Sequence, residues 1–501
     1  MVGNVRTPDE IWTGDLFGRR NDAETLIAYI ESVWQRPIVR EDSRAYTIAV
    51  DSGYGEGKSF FLRRLAEHLA INHPVAFVDA WSDDIADEPL TALAATLKKA
   101  LGPLIEQPGP VQDRWRGVMQ KTGKVAWLAG KGLFRRGLTL ALTAGAVEGI
   151  DQVIDGVSEA TEEAIQDGVK EMGKEMPGEL AKVSGLAAPS DLMAQRIAEF
   201  EAGAAAIRDL KESLAALVSA LEELGQHPPI VIVIDELDRC RPTYSVKLLE
   251  EIKHLFDVPG IVFLFGMHGE QLSHSIAAAY GSNFDGTAYL RRFINRKYVL
   301  SEPDLTPLLE VLLKQAGLTD QQLAFPLVKT ERGTDRFNPA QMIAMYMDLY
   351  GLKPRDAFGI VDLLQTCSAL TQGARLLASY LVPLAIGMYL GEKSGELPDA
   401  VRGAKYQLVT YDEGFRGDQR LADPVNWATN IRALARTETR ELMRLANSGN
   451  DPATAVFEIT ANGNGKGNPL VSPSNYPELL RAVGRFVNPA LEEEVAGQTE
   501  A

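Results

Sequence analysis

From residue 46 onward, short aliphatic runs alternate with longer segments in which apolar side chains recur every three or four positions. Residues 46–50, YTIAV, are β-branched and apolar throughout, as expected of a strand buried on both faces. Glycines follow at 53, 55 and 57, and the next segment, SFFLRRLAEHLA, places Phe61, Leu62, Leu65 and Leu69 on one helical face. Residues 74–80 (PVAFVDA) predict a second buried strand, and 89–101 a helix with proline in its first turn. A long Ala- and Leu-rich helix is expected over 197–224, then the five-residue run IVIVI at 230–234, a helix, and a further strand at 261–266. Upstream, residues 8–34 read as a loop followed by a helix with Leu26, Ile27, Ile30 and Val33 inward.

Strands alternating with helices predict an α/β fold with a parallel sheet flanked by helices. The alternation breaks between 103 and 195, where prolines, a basic stretch and an acidic run predict a helical insertion. It stops for good near Leu305, after which helical periodicity prevails to about Gly391, so the C-terminal region is expected to be mainly helical. The resulting division is 1–102 and 197–304 for the two parts of the sheet domain, 103–196 for the insertion, 305–400 for a helical lid, and 401–501 for an accessory region. Within that last region the Gly-Asn stretch 461–468 reads as a linker, 476–487 as a short helix, and the acidic end as a disordered tail.

Bulk properties narrow the function. At 501 residues, 45% hydrophobic and 24% charged, the chain has the composition of a globular protein of several domains. A net charge of −17 argues against broad coating of nucleic acid or of an anionic membrane. Nucleic acid is therefore not indicated as a partner. The uncharged segment GLTLALTAGAV at 137–147 falls well short of the roughly 20 apolar residues that span a bilayer, so a buried or interfacial helix is expected there. Cys240 and Cys367 are far apart and sit in apolar surroundings, which suits a reducing cytoplasm, and MVGNVRTPDEIW has no basic and apolar leader.

The chemistry gathers at two places. A strand, a glycine-rich turn, Lys-Ser and a helix make a phosphate-binding loop: side-chain-free residues let backbone N–H groups converge on an anion at a helix N-terminus. Gly53, Tyr54, Gly55, Glu56, Gly57, Lys58, Ser59 and Phe60 are the candidate nucleotide contacts, with Lys58 on the outer phosphates and the Ser59 hydroxyl on Mg²⁺. Ser52 stands where the strict pattern has glycine, and Glu56 puts an acid inside the loop. Far downstream, IVIVI ends in Asp235-Glu236, an acidic pair suited to the opposite side of such a site. Asp235 is expected to hold Mg²⁺ through its water shell, and Glu236 to orient or deprotonate an attacking water.

Secondary candidates surround this pair. The loop carrying Leu16, Phe17, Gly18 and Arg19 is placed either to cover an adenine ring or to brace the sheet. Asp79 and Trp81 lie near the phosphates if their strand neighbours the first, while Asp83, Asp84, Asp87 and Glu88 read as a solvated loop or as helix-start charges. His268, at a strand tip, is either a γ-phosphate sensor or a structural histidine. The segment YLRRFINRK puts Arg291, Arg292, Arg296 and Lys297 on a helix-like stretch, and KPRD puts Arg355 at a helix start. Arg291 and Arg355 are the candidate catalytic arginines; surface ion pairs are the alternative.

Taken together, these residues resemble the KAP family of P-loop NTPases. GYGEGKS is similar to that family's loop, with Tyr54 where tryptophan is commonest; FVDAW, IDELDRCRP with LLEEIKHLFD, YLRRFIN and KPRD match in position. The resemblance covers about residues 10–390. It implies nucleotide and Mg²⁺ contacts at Lys58 and Ser59, the metal-side acid at Asp235 and water activation at Glu236. Family members often insert transmembrane helices between the two motifs, and bacterial members are linked to phage exclusion and other defence systems.

The function expected is ATP binding with Mg²⁺-dependent hydrolysis, driving a conformational switch through self-assembly into a homo-oligomer or through partner proteins of the same system. A non-hydrolysing ATP-bound scaffold, a P-loop kinase and a nucleic-acid motor are the competing readings.

Overall fold

The computed structural model describes residues 6–34, 45–84, 89–105, 109–130, 189–223, 227–253, 258–281, 283–330, 333–411, 419–461 and 468–485. The segment 137–147, the acidic run 159–175, Asp87 and Glu88, the interior of the Gly-Asn linker and the acidic tail lie outside the described residues. Among the described residues, no helix is long and apolar enough to cross a membrane. The described residues form two compact units: one from Met1–Thr13, Asn21–Ser52 and Lys58–Leu300, the other from Gly14–Arg20, Gly53–Gly57 and Ser301–Ala501.

The first unit is built on a parallel sheet of five strands, β1 (Tyr46–Asp51), β2 (Val75–Asp79), β3 (Ile230–Asp235), β4 (Ile261–Met267) and β5 (Arg296–Val299), in the order β2-β3-β4-β1-β5. Period-two alternation sends successive side chains to opposite faces. Ile230, Ile232 and Ile234 join Phe263 and Phe265 on one face, under the helices Pro89–Ile105, Pro110–Gly130, Pro189–Glu223 and Pro242–Lys253. Val231 and Val233 join Ile48, Val50, Val262 and Leu264 on the other, against Leu26 and Ile30 and against Phe61, Leu62, Leu65 and Leu69 of the helix Lys58–Leu69. With both faces covered, every interior strand must be apolar along its length, which is why these runs are continuous and not alternating.

Two expectations about this sheet need correction. β2 pairs with β3 and does not neighbour β1; Asp79 stands in register with Asp235. The segment YLRRFINRK is not helical beyond its first residues: the short helix Gly286–Leu290 ends at Arg291, and Arg296 and Lys297 lie on edge strand β5. The cause is Asn295, whose side-chain oxygen accepts the Thr47 N–H at 2.9 Å and the Thr47 hydroxyl at 2.7 Å, drawing the chain alongside β1.

The second unit packs its helices, among them Thr306–Ala316, Pro339–Leu349, Asp356–Leu370 and Ala378–Tyr389, around one apolar core. It also contains a four-stranded antiparallel sheet of Leu327–Thr330, Gly333–Asp335, Gln407–Tyr411 and Gln419–Ala422, which the helical periodicity had hidden.

Candidate functional site

Lys58 and Ser59 occupy the first turn of their helix, where backbone N–H groups have no intrahelical acceptor and the helix dipole favours an anion. The Lys58 ammonium is buried, 3.4 Å from the Ser52 carbonyl and 3.6 Å from Asp238 Oδ1. The Ser59 hydroxyl donates to Glu236 Oε1 at 3.3 Å.

Asp235 closes β3 with a fully buried carboxylate. Its Oδ1 accepts the Glu236 N–H at 2.9 Å, while Oδ2 has no hydrogen-bond partner. Burial pushes this carboxyl above the usual aspartate range; the Ser59 hydroxyl, the Glu236 N–H and the Lys58 charge act against that shift. Space for the carboxylate comes from Gly266 on β4, where a Cβ would stand 2.6 Å from Asp235 Oδ1 and 2.2 Å from Leu62 Cδ1.

Glu236 has left-handed backbone angles, φ 59° and ψ 29°, strain of order 1–3 kcal/mol for a residue with a side chain. That conformation turns the chain out of β3 into the 3₁₀ turn Leu237–Arg239, which sends Asp238 toward Lys58 and Arg239 toward Glu236. Nearby, Asp84 is buried and accepts both the Arg241 N–H (3.0 Å) and its Nε–H (2.9 Å), so this member of the acidic cluster is a structural clamp. The Cys240 thiol is pushed up to about 12 by burial and by the surrounding acids, of which Asp84 contributes most, leaving no nucleophile there.

Residues 53–57 group with the second unit. Gly55 and Gly57 have φ of +77° and +85°, conformations a side chain resists. Glu56 Oε2 accepts the Gly53 N–H at 3.1 Å, and Oε1 receives Lys353 Nζ at 2.6 Å. Arg19, buried, donates to the Glu56 carbonyl at 3.0 Å and to the Ser301 carbonyl at 2.7 Å. Arg355, at the start of the helix Asp356–Leu370, lies so near Gly55 that a Cβ there would stand 2.9 Å from the Arg355 Cβ.

The sequence-predicted residues thus separate into groups. Lys58, Ser59, Asp235 and Glu236 come together at the ends of β1 and β3. Tyr54 and Phe60 are partly exposed, Phe60 under the Arg64 guanidinium at 4.1 Å. Phe17 rests against the second unit's core, and Gly18 has φ +67°. Arg291 is exposed at a helix end, and no hydrogen bond or ion pair among the described residues joins it to the four central residues. His268 caps the helix Gly269–Tyr280 by accepting the Gln271 N–H, and Lys297 pairs with Asp51 at the end of β1. Asp238, Arg239, Gly266 and Lys353 received no site role from the sequence. For Asp238 and Arg239 a signal existed: both stand within four residues of Asp235 in DELDR.

A divalent cation fits this donor set. A buried carboxylate oxygen without a donor is costly unless a positive charge meets it, and a serine hydroxyl that donates to Glu236 keeps lone pairs for a metal.

No curated protein matches the chain. The Aeropyrum pernix ORC2 protein in its ADPNP–ADP complexes is a similar solved structure at 12% identity; the alignment covers 94% of this chain and 88% of that one, with a TM-score of 0.29, too low to carry an argument. The family description "KAP family P-loop domain" matches residues 19–323, more than half of the 501. With the five-stranded parallel sheet, this match shows that the chain belongs to the KAP family of P-loop NTPases.

Proposed function

We propose that the chain binds ATP with Mg²⁺ and hydrolyses it. The observation that carries this reading is the meeting of Lys58 and Ser59 at a helix N-terminus with Asp235 and Glu236 at the tip of β3, joined by the 3.3 Å contact between Ser59 and Glu236. Lys58 and the loop amides neutralise the phosphates. Ser59 and Asp235 would hold Mg²⁺, and the ion would supply further positive charge to offset that of the phosphates. Glu236 orients a water and takes its proton as the water oxygen bonds to the γ-phosphorus. The bond from that phosphorus to the bridging oxygen breaks, and ADP and inorganic phosphate leave.

Arg291 and Arg355 are the candidates to offset charge developing on the γ-phosphoryl group. Phe17 and Gly18 are the candidates for the base. Segments 305–400 as lid, 103–196 as insertion and 401–501 as accessory region follow from the same reading, in which hydrolysis drives a switch read out by self-association or by partner proteins. Family membership supports a place in anti-phage defence.

The test is nucleotide turnover without an added phosphate acceptor, with binding of a fluorescent ATP measured alongside. Lys58→Ala should lose both binding and turnover, and Glu236→Gln should bind but lose turnover by about 10² or more. Turnover by Glu236→Gln at the wild-type rate would overturn the assignment. A wild-type protein that binds ATP without turning it over would be a scaffold instead.

A further inference from the structure

Glu236 does not stand alone at the tip of β3. Its Oε1 accepts the Ser59 hydroxyl at 3.3 Å and forms an ion pair with the Arg239 guanidinium at 3.1 Å, whereas no protein donor among the described residues reaches Oε2. Arg239 in turn lies over the Trp81 indole, 5.7 Å from the ring centroid. Trp81 is 54% exposed, an unusual setting for so large an apolar side chain, and it sits on the short helix Ala80–Asp83. That helix is fixed by its N-cap, Asp79, whose side chain accepts the Ser82 N–H at 3.1 Å and whose backbone is in register with Asp235. A continuous support thus runs from the tip of β2 through Trp81 and Arg239 to Glu236.

We infer that Arg239, braced on Trp81, is a positioning residue for Glu236: by occupying Oε1 it leaves Oε2 as the oxygen that meets the attacking water. This rests on the hydrolytic reading of Glu236 given above. The Arg239 side chain is 41% exposed, and water screens its charge. Screening leaves the orientation of the carboxylate intact, and a displacement of about 1 Å at a reacting group can cost on the order of 10²-fold in rate. Orientation therefore dominates. The bland alternative, an exposed i,i+3 ion pair with no bearing on rate, makes a different prediction.

The experiment compares kcat, KM and fluorescent-ATP affinity of the full chain for wild type, Glu236→Gln, Arg239→Gln, Arg239→Lys, Trp81→Ala and the double variant Glu236→Gln/Arg239→Gln. Arg239→Gln should lower kcat by roughly 10- to 100-fold with affinity nearly unchanged, Arg239→Lys should recover part of the loss, and Trp81→Ala should lose several-fold. In the Glu236→Gln background Arg239→Gln should cost nothing further, because no base is left to orient. Wild-type kcat in Arg239→Gln beside an inactive Glu236→Gln overturns the positioning role and leaves the hydrolytic reading standing. A fall in affinity matching the fall in rate also overturns it, since Arg239 would then be a nucleotide contact. An active Glu236→Gln removes both. Should Arg239→Gln fail to fold, the Arg239→Lys and Trp81→Ala rates decide between the same outcomes.

Discussion

Asp235→Asn should stabilise the protein when nucleotide and metal are both absent. The wild-type carboxylate is fully buried, one oxygen is held by a single backbone N–H, and the other has no hydrogen-bond partner. Leaving a buried polar group unsatisfied costs about 1–3 kcal/mol, and more for a charged one. Asparagine keeps the acceptor for the Glu236 N–H and removes the charge, but it brings an unpartnered amide and gives up attraction to Lys58. The balance is a gain of about 1–2 kcal/mol at pH 7. The sign with pH follows from the raised carboxyl. Between the ordinary aspartate value and the raised one, the folded chain binds more protons than the unfolded chain, so stability falls as pH rises through that window and the full cost is present above it. The advantage of the variant must therefore shrink as pH falls toward about 4. Thermal unfolding of both proteins at pH 7 and at mildly acidic pH, each with and without Mg²⁺-ATP, measures it. Under the proposed function, ligand at 100 times its Kd adds about 2.7 kcal/mol to the wild type, and the order of stabilities reverses. A variant less stable than wild type at pH 7 without ligand, by a margin insensitive to pH, would refute the reasoning.

Two further substitutions probe the supports of each unit separately. Gly266→Ala puts a methyl group into Leu62 and the Asp235 carboxylate, so it should cost about 1–3 kcal/mol by overpacking and weaken nucleotide binding in parallel; wild-type denaturant midpoint and affinity would count against the close approach. In the second unit the Leu377 N–H donates to the buried Tyr476 hydroxyl at 2.7 Å, and Tyr476→Phe leaves that N–H without a partner. The expected loss is about 1–3 kcal/mol, read as faster amide exchange across residues 376–389, with no change expected at the ends of β1 and β3.

The sheet of the first unit was legible because a parallel strand covered on both faces must be apolar at every position, and β1, β2, β3 and β4 each fall where such a run stands in the sequence. β5 was not legible. RKYV is a polar edge segment, and what makes it a strand is Asn295 seated on Thr47, a contact 248 positions away in sequence. The antiparallel sheet of the second unit escaped for a related reason: its strands are short, and its inner pair joins residues 327–329 to 407–409, which no local window connects. The central site was legible as two motifs because each obeys a local rule, glycines before Lys-Ser and acids after an aliphatic run. Strand order was not, and β4 between β1 and β3 is what makes a glycine at position 266 matter.

The DELDR turn shows why sequence adjacency and spatial role part company. Within five residues the chain carries three acids and one base, and a linear reading gives a site role to the first two acids alone. The left-handed backbone at Glu236 breaks that reading, because it ends the strand and folds the next residues back. Asp238 becomes a buried counter-charge to Lys58, and Arg239 a clamp on Glu236. Each cation of the group then has an acid: Lys58 has Asp238, and Arg239 has Glu236. Asp235 is left over, and its unpartnered oxygen is the place where the group carries surplus negative charge. A cation drawn to that oxygen would relieve the desolvation that raises the Asp235 carboxyl. A triphosphate drawn to Lys58 would compete with Asp238 for the same ammonium. Under the proposed function, metal and nucleotide would therefore be coupled through the charge balance of one short turn, and neither is expected to bind at full strength without the other.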